Sequence, residues 1–305
     1  MSIKTTYCGV IVPMVTPLNA SGDIDAAGVD NIVTGLVNNG CAPFVAGTTG
    51  ESASISDAEK ARLVELAVSA TNGRQIVYAG IADNCFEASV EKAHRYKELG
   101  ADAVVAHLPC YYPIDEGQMA AYFGALADAS PLPLLLYNIP VTTKLSVPVS
   151  LLNELSQHEN IVGAKDSERS EERLRYSLDL WRDREDFTFH LGWAAKSASG
   201  LLNGLDGIVP STANLVPNLY RGIYDAVKRG DAAEANRLQA ITDTISEYYQ
   251  EGYLLSHSIP RFKTMLEAFE ICGPHVAPPM ITLCDDERAT VIQDAQSQFS
   301  QYLTE

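Results

Sequence analysis

Positive charge is scarce in this 305-residue sequence: 22 lysines and arginines stand against 39 aspartates and glutamates, a formal net charge of −17. That balance argues against nucleic acid and anionic membrane as partners, because the field of the whole molecule repels them. An anionic substrate then needs donors placed locally around it. Cysteine is sparse as well. Cys8, Cys41, Cys85, Cys110, Cys272 and Cys284 show no C-x-x-C or other zinc-like spacing, so they read as reduced, mostly buried thiols, and no metal is expected. No apolar run approaches the ~20 residues that cross a bilayer. The opening Met1-Ser2-Ile3-Lys4-Thr5-Thr6 lacks the apolar centre of a signal peptide, so a cytoplasmic protein is expected. No G-x-G-x-x-G occurs, and there is no low-complexity segment.

What the chain does have is alternation. From Gly9 to about Arg229, short apolar runs alternate with amphipathic stretches, punctuated by glycine, asparagine, proline or aspartate. Eight runs are expected as strands: Val10 to Val15, Pro43 to Ala46, Ile76 to Ala79, Ala103 to His107, Leu134 to Tyr137, Ile161 to Lys165, Thr188 to Leu191 and Gly207 to Val209. Helices follow most of them. The stretch from Asp25 puts Ile32, Val33, Leu36 and Val37 on one face and stops at Asn39-Gly40. Ser56 with Glu59 three residues on reads as a capping box, and Pro148 as a first-turn proline. Eight strand-helix units predict an α/β fold, a (β/α)8 TIM barrel, over 1–229, with an open doubly wound sheet as the weaker choice. Beyond Gly230 the strand signals cease. Three helical stretches, near 232–250, 259–269 and 287–302, predict a C-terminal helical extension over 230–305.

In such a barrel chemistry gathers where the strands end. The sixth run closes in Ile161-Val162-Gly163-Ala164-Lys165-Asp166, placing a lysine where an ammonium is unwelcome. Burial disfavours the charged form, and a neutral amine can attack a ketone to form an imine. The competing reading is a lysine that reaches solvent or pairs with Asp166. After the second run, Gly47-Thr48-Thr49-Gly50-Glu51 is a small, hydroxyl-rich turn whose backbone N–H groups suit a carboxylate. A turn built for geometry alone has the same composition. After the fourth run, His107-Leu108-Pro109-Cys110-Tyr111-Tyr112-Pro113 is a stiff loop carrying two phenols. The fifth ends in Tyr137-Asn138-Ile139-Pro140, a phenol one strand away from Lys165, and adjacent strands lie about 5 Å apart.

Together with Gly9-Val10-Ile11-Val12-Pro13-Met14-Val15-Thr16-Pro17 and Gly207-Ile208-Val209-Pro210-Ser211-Thr212-Ala213-Asn214, these motifs closely resemble the dihydrodipicolinate synthase and N-acetylneuraminate lyase family of Schiff-base, pyruvate-handling aldolases. The resemblance runs over nearly the whole chain. It implies a lyase that needs no cofactor beyond a covalent imine on Lys165, takes pyruvate and an aldehyde, and assembles as a homotetramer. By the same resemblance Tyr137 is the proton shuttle. Thr48 and Thr49, with the Gly50 turn, bind the keto-acid carboxylate. Thr48 hydrogen-bonds Tyr137 in a relay completed by a neighbouring subunit's tyrosine, Tyr111 or Tyr112, and Val209 offers its carbonyl near the imine. The chemistry is sound on first principles. A protonated imine at C2 of pyruvate is an electron sink, so C3 can lose a proton or an aldehyde without a free carbanion.

The choice of aldehyde rests on departures from the family pattern. Synthases of the family carry an arginine after the Tyr-Asn-x-Pro tyrosine to bind aspartate semialdehyde; here that position is Thr142, which cannot clamp a carboxylate in bidentate fashion. Lys144 offers only a point charge. Sialic acid lyases carry an acidic pair after the seventh strand, where this chain has Gly192-Trp193-Ala194-Ala195. Trp193 is expected to pack or to wall an apolar aldehyde, and Ser211 and Thr212 to offer hydroxyls to a polyol. Cleavage or formation of a 2-keto-3-deoxy sugar acid is therefore expected. Dihydrodipicolinate synthase proper, hydratase-aldolases, sugar-acid dehydratases and a non-catalytic keto-acid-binding homologue are the alternatives.

Overall fold

The computed structural model describes residues 2–303. A short helix α1 (Ile3–Thr6) precedes β1 (Gly9–Pro13). There follow α2 (Ala26–Asn38), β2 (Ala42–Val45), α3 (Asp57–Thr71), β3 (Tyr78–Gly80), α4 (Phe86–Glu98), β4 (Ala103–His107), α5 (Glu116–Ala129) and β5 (Leu134–Asn138). A single turn, α6 (Pro140–Thr143), and α7 (Val149–Leu155) lead to β6 (Ile161–Asp166), then α8 (Glu171–Trp181), β7 (Thr188–Leu191), α9 (Ser197–Leu202), β8 (Gly207–Ile208) and α10 (Pro217–Lys228). The strands close in sequence order into one parallel barrel, β8 pairing with β1 through Gly207↔Gly9. This is the (β/α)8 TIM barrel expected, and α11 (Ala232–Gln250), α12 (Leu255–Glu267) and α13 (Asp285–Phe299) form the C-terminal helical part. No helix among the described residues is long and apolar enough to cross a membrane.

Alternation along each strand splits the apolar residues into two bodies. Val10, Val12, Val45, Ala79, Val104, Leu134 and Leu136 face outward and join the apolar stripes of the helices in the larger core. Ile11, Phe44, Tyr78, Val105, Leu135, Tyr137 and Val209 face inward and fill the barrel. The inner body is small and carries phenols, so the barrel interior is where polar chemistry has room.

Several local devices differ from expectation for identifiable reasons. Ser56 does cap α3, accepting from the Glu59 N–H at 3.2 Å, but the Glu59 carboxylate accepts from Ile24 N at 2.9 Å instead of closing a capping box. The reciprocal box is on α5, between Asp115 and Gln118. Pro148 is the residue before α7 rather than within its first turn. Helix α12 starts at Leu255, ahead of the expected 259, because it takes Pro260 into its interior. The C-terminal helices are tied to the barrel by polar contacts. Gln239 on α11 accepts from Ala198 N at 2.8 Å. Tyr249 on the same helix meets the hydroxyls of Ser211 and Thr212, each at 2.9 Å.

Candidate active site

The register of the barrel sets four polar side chains in one row. His107 on β4 lies opposite Tyr137 on β5, Tyr137 opposite Lys165 on β6, and Lys165 opposite His190 on β7. Laterally paired residues of parallel strands point to the same face, so all four enter the barrel. Lys165 is 5 % exposed, which removes the solvent-reaching alternative. Its amine lies 3.8 Å from the centre of the Tyr137 ring and 5.0 Å from that of Phe44. Asp166 does not pair with it. Being next along the strand, Asp166 points outward, where Arg173 Nε donates to its carboxylate at 2.6 Å and Asn138 Nδ2 donates at 3.2 Å. Burial pushes the Asp166 carboxyl up, and Arg173 opposes that shift. Asn138 donates also to Glu168 at 3.0 Å, and Ser146 to the same carboxylate at 2.6 Å. This outer network braces the ends of β5 and β6, so that Tyr137 and Lys165 face each other from a fixed backbone.

Phe44 joins the lysine to the Gly47–Gly50 turn. A Cβ on Gly47 would stand 2.9 Å from the Phe44 ring, and one on Gly50 2.9 Å from the Met14 carbonyl, so both positions need glycine for close approach. Thr48 and Thr49 are half-buried at the tip of this turn. The turn is anchored from below. Glu51, with φ of 57°, sends a fully buried carboxylate to Lys263 of α12 at 2.8 Å and accepts from Ala277 N at 2.7 Å. Lys263 donates in addition to the Thr16 carbonyl at 2.8 Å. A buried ion pair is tolerable only when its remaining valences are met in this way.

The other candidates are spread around the barrel mouth. Val209 lies in the inner body just beyond β8. Ser211 spends its hydroxyl on Tyr249, and Thr212 is fully buried and bonded to Ser246 and Tyr249, which makes Thr212 part of the seam to α11. Thr142 is exposed, and its hydroxyl donates back to the Ile139 carbonyl at 3.2 Å. Lys144 turns its amine onto the Val141 carbonyl at 2.8 Å. Trp193 is half-buried against the outer core, with the Lys196 amine 5.4 Å from its ring. Tyr111 and Tyr112 pack edge to face, 5.0 Å apart, and are 76 % and 73 % exposed. Within this chain, therefore, the row contains Lys165 and Tyr137 but neither loop tyrosine. Thr48 makes no hydrogen bond to Tyr137 among the described residues.

Sequence reading missed both histidines of the row as site residues. His190 is fully buried: its Nε2 meets Thr188 Oγ1 at 3.0 Å, and its Nδ1 is sealed with no partner among the described residues. Burial, and then the Lys165 charge, push its pKa down to about 3, so the imidazole is neutral. The signal was present in the alternation of Thr188 and His190, both inward, on a strand otherwise apolar. Chemically, the mouth offers a buried amine with no counter-ion among the described residues, a phenol on its flank, neutral imidazoles and a turn lined by threonines. No group of acidic, histidine and cysteine side chains suited to a metal is found among the described residues.

Comparisons with known proteins agree over nearly the whole chain. The sequence model of the Dihydrodipicolinate synthetase family matches residues 6–298. The 4-hydroxy-tetrahydrodipicolinate synthase of Oceanobacillus iheyensis is 30% identical over 294 residues, 96% of each chain. Among solved structures, the dihydrodipicolinate synthase of Bacteroides thetaiotaomicron superposes with a TM-score of 0.90 at 30% identity, over 95% of this chain and 98% of that one. A prophage protein of the dihydrodipicolinic acid synthase family from E. coli, solved in complex with pyruvate, gives 0.89 at 25% identity, over 96% and 98%.

Proposed function

Because the chain belongs to the dihydrodipicolinate synthetase family, a family of lyases, we propose that it splits or joins pyruvate and an aldehyde through an imine on Lys165. The observation that carries this reading is the Lys165 amine, buried inside the barrel with no carboxylate partner among the described residues and 3.8 Å from the Tyr137 ring. The amine attacks C2 of the keto acid, the carbinolamine loses water, and the protonated imine accepts the electrons of the C3–C4 bond as the aldehyde leaves. Tyr137 gives the proton that departs with water and takes the one released when the C4 hydroxyl becomes a carbonyl. Thr48, Thr49 and the backbone of Gly50 hold the carboxylate, with Val209 beside the imine. The barrel, residues 1–229, supplies these groups, and residues 230–305 brace them.

The aldehyde is the part belonging to a 2-keto-3-deoxy sugar acid. Position 142 has no guanidinium, and Lys144 is folded onto its own backbone, so a second carboxylate finds no bidentate clamp at this loop. Ser211 and Thr212 spend their hydroxyls on α11 and Trp193 packs on the outer core, so this choice of aldehyde is supported by the missing clamp alone. The synthase names of the relatives favour the second reading, condensation with aspartate semialdehyde. A substrate panel decides between them. Pyruvate release from 2-keto-3-deoxy acids is expected to exceed condensation with aspartate semialdehyde by about 10- to 100-fold in kcat/KM, the worth of a missing charged clamp. The reverse ratio would leave the synthase reading in place.

The exposed Tyr111–Tyr112 pair supports a homotetramer in which this loop enters a neighbour's site. Light scattering at four times the 33.0 kDa chain mass is the expected result. A strict monomer would deny Tyr111 and Tyr112 any place in the relay.

A further inference from the structure

His107 stands one strand beyond Tyr137 in the inward row, the two rings edge to face with centroids 6.2 Å apart. Its Nδ1 lies 2.7 Å from the Leu108 carbonyl. A carbonyl oxygen can only accept, so Nδ1 carries the proton and Nε2 is left as a bare lone pair. That lone pair has no partner among the described residues, and it is not among the sealed, unpaired atoms, so it is open to solvent. His190, at the other end of the row, differs in this respect: its free nitrogen is sealed inside the barrel. Burial holds His107 below its ordinary value, the Leu108 bond opposes this, and the Lys165 charge adds to it, so the ring is a neutral base at neutral pH. Tyr137 in turn has no hydrogen-bond acceptor among the described residues, although a phenol that takes a substrate proton must pass on its own.

We propose that His107 is the proton acceptor behind Tyr137: once solvent has restored the proton that left with water, the phenol passes it to Nε2 through one bridging water, since the two groups share no direct hydrogen bond, while Tyr137 takes a proton from C3 of the Lys165-bound pyruvate imine. This rests on the imine reading above. In the step a C3–H bond breaks, its electron pair forms the C2–C3 double bond, and the C=N pair moves onto nitrogen. The C3 proton reaches the phenol oxygen as the phenolic proton reaches His107. The enamine and an imidazolium result, and the reverse sequence returns a solvent-derived proton to C3.

Pyruvate alone tests this without knowledge of the aldehyde. In D2O the wild-type protein is expected to exchange the pyruvate methyl protons, followed by NMR, and borohydride is expected to fix pyruvate on Lys165. His107→Asn retains a side-chain N–H for the Leu108 carbonyl and removes the base. It is expected to slow exchange about 100-fold or more, with the pyruvate concentration dependence within about 2-fold of wild type and the borohydride adduct still formed. His107→Gln, measured alongside, is expected to behave alike, so a folding defect in one variant cannot stand in for loss of the base. Exchange within about 5-fold of wild type in either folded variant would overturn the proposal. A wild-type protein that forms no adduct would instead remove the imine reading and leave no role for His107 as a base.

Discussion

Replacing Lys165 by alanine is expected to abolish turnover, by at least about four powers of ten, and to leave the fold standing. The size of the loss follows from covalency. Without the amine there is no electron sink at C2, and neither Tyr137 nor the threonine turn can supply one. Stability is expected to change little because the lysine amine faces aromatic rings and has no carboxylate partner among the described residues. Its removal strands no opposite charge. Steady-state assays, intact mass after borohydride treatment and thermal unfolding check the three parts together. A variant that keeps activity would contradict the imine; a variant that unfolds would show that the lysine is a structural residue.

The opposite behaviour is expected at Lys263. This amine is wholly buried and is shared between the Glu51 carboxylate and the Thr16 carbonyl. Lys263→Met keeps all but the last atom of the side chain's length and leaves Glu51 as a buried anion held by the Ala277 N–H alone among the described residues. Removing one partner of such a pair costs about 3–5 kcal/mol. For a chain of this size that corresponds to a fall in Tm of roughly 5–8 °C. Glu51 closes the turn that carries Thr48 and Thr49, so under the proposed function pyruvate binding is expected to weaken together with stability. Combining Lys263→Met with Glu51→Gln removes both charges and is expected to recover part of the lost Tm. A single variant within about 1 kcal/mol of wild type would mean that the pair does not hold the turn.

The contrast between these lysines also marks what a sequence can disclose. Lys165 was legible because it interrupts an apolar strand, and Tyr137 because it ends the strand before. Both sit on elements whose alternation identifies the inward face. Lys263 was not legible, since its partner lies 212 residues away, and only the docking of α12 against the loops that follow β1 and β2 brings the two together. His190 was absorbed into an apolar strand, because inward placement at a given height depends on the register of neighbouring strands, which alternation within one strand does not report. Helix starts failed for a different reason. A proline normally signals a boundary, and Pro260 instead sits six residues into α12, so that helix was read as beginning too late. Glu59 satisfied a capping motif in spacing, but Ile24 N, across the β1–α2 loop, competes for its carboxylate. The eight strands themselves were recognisable to within one or two residues at each end, because buried parallel strands read as short apolar runs.

Borohydride trapping on the wild-type protein tests the central claim most directly. The protein is exposed to pyruvate and, separately, to a set of 2-keto-3-deoxy acids, then reduced, weighed intact and mapped by peptide. A pyruvyl adduct on Lys165 is predicted with pyruvate, and the same pyruvyl mass, rather than that of the whole acid, with any substrate that has been cleaved. Folded protein that takes no label at Lys165 from any of these ligands would contradict the account and leave a barrel that binds keto acids without performing the chemistry.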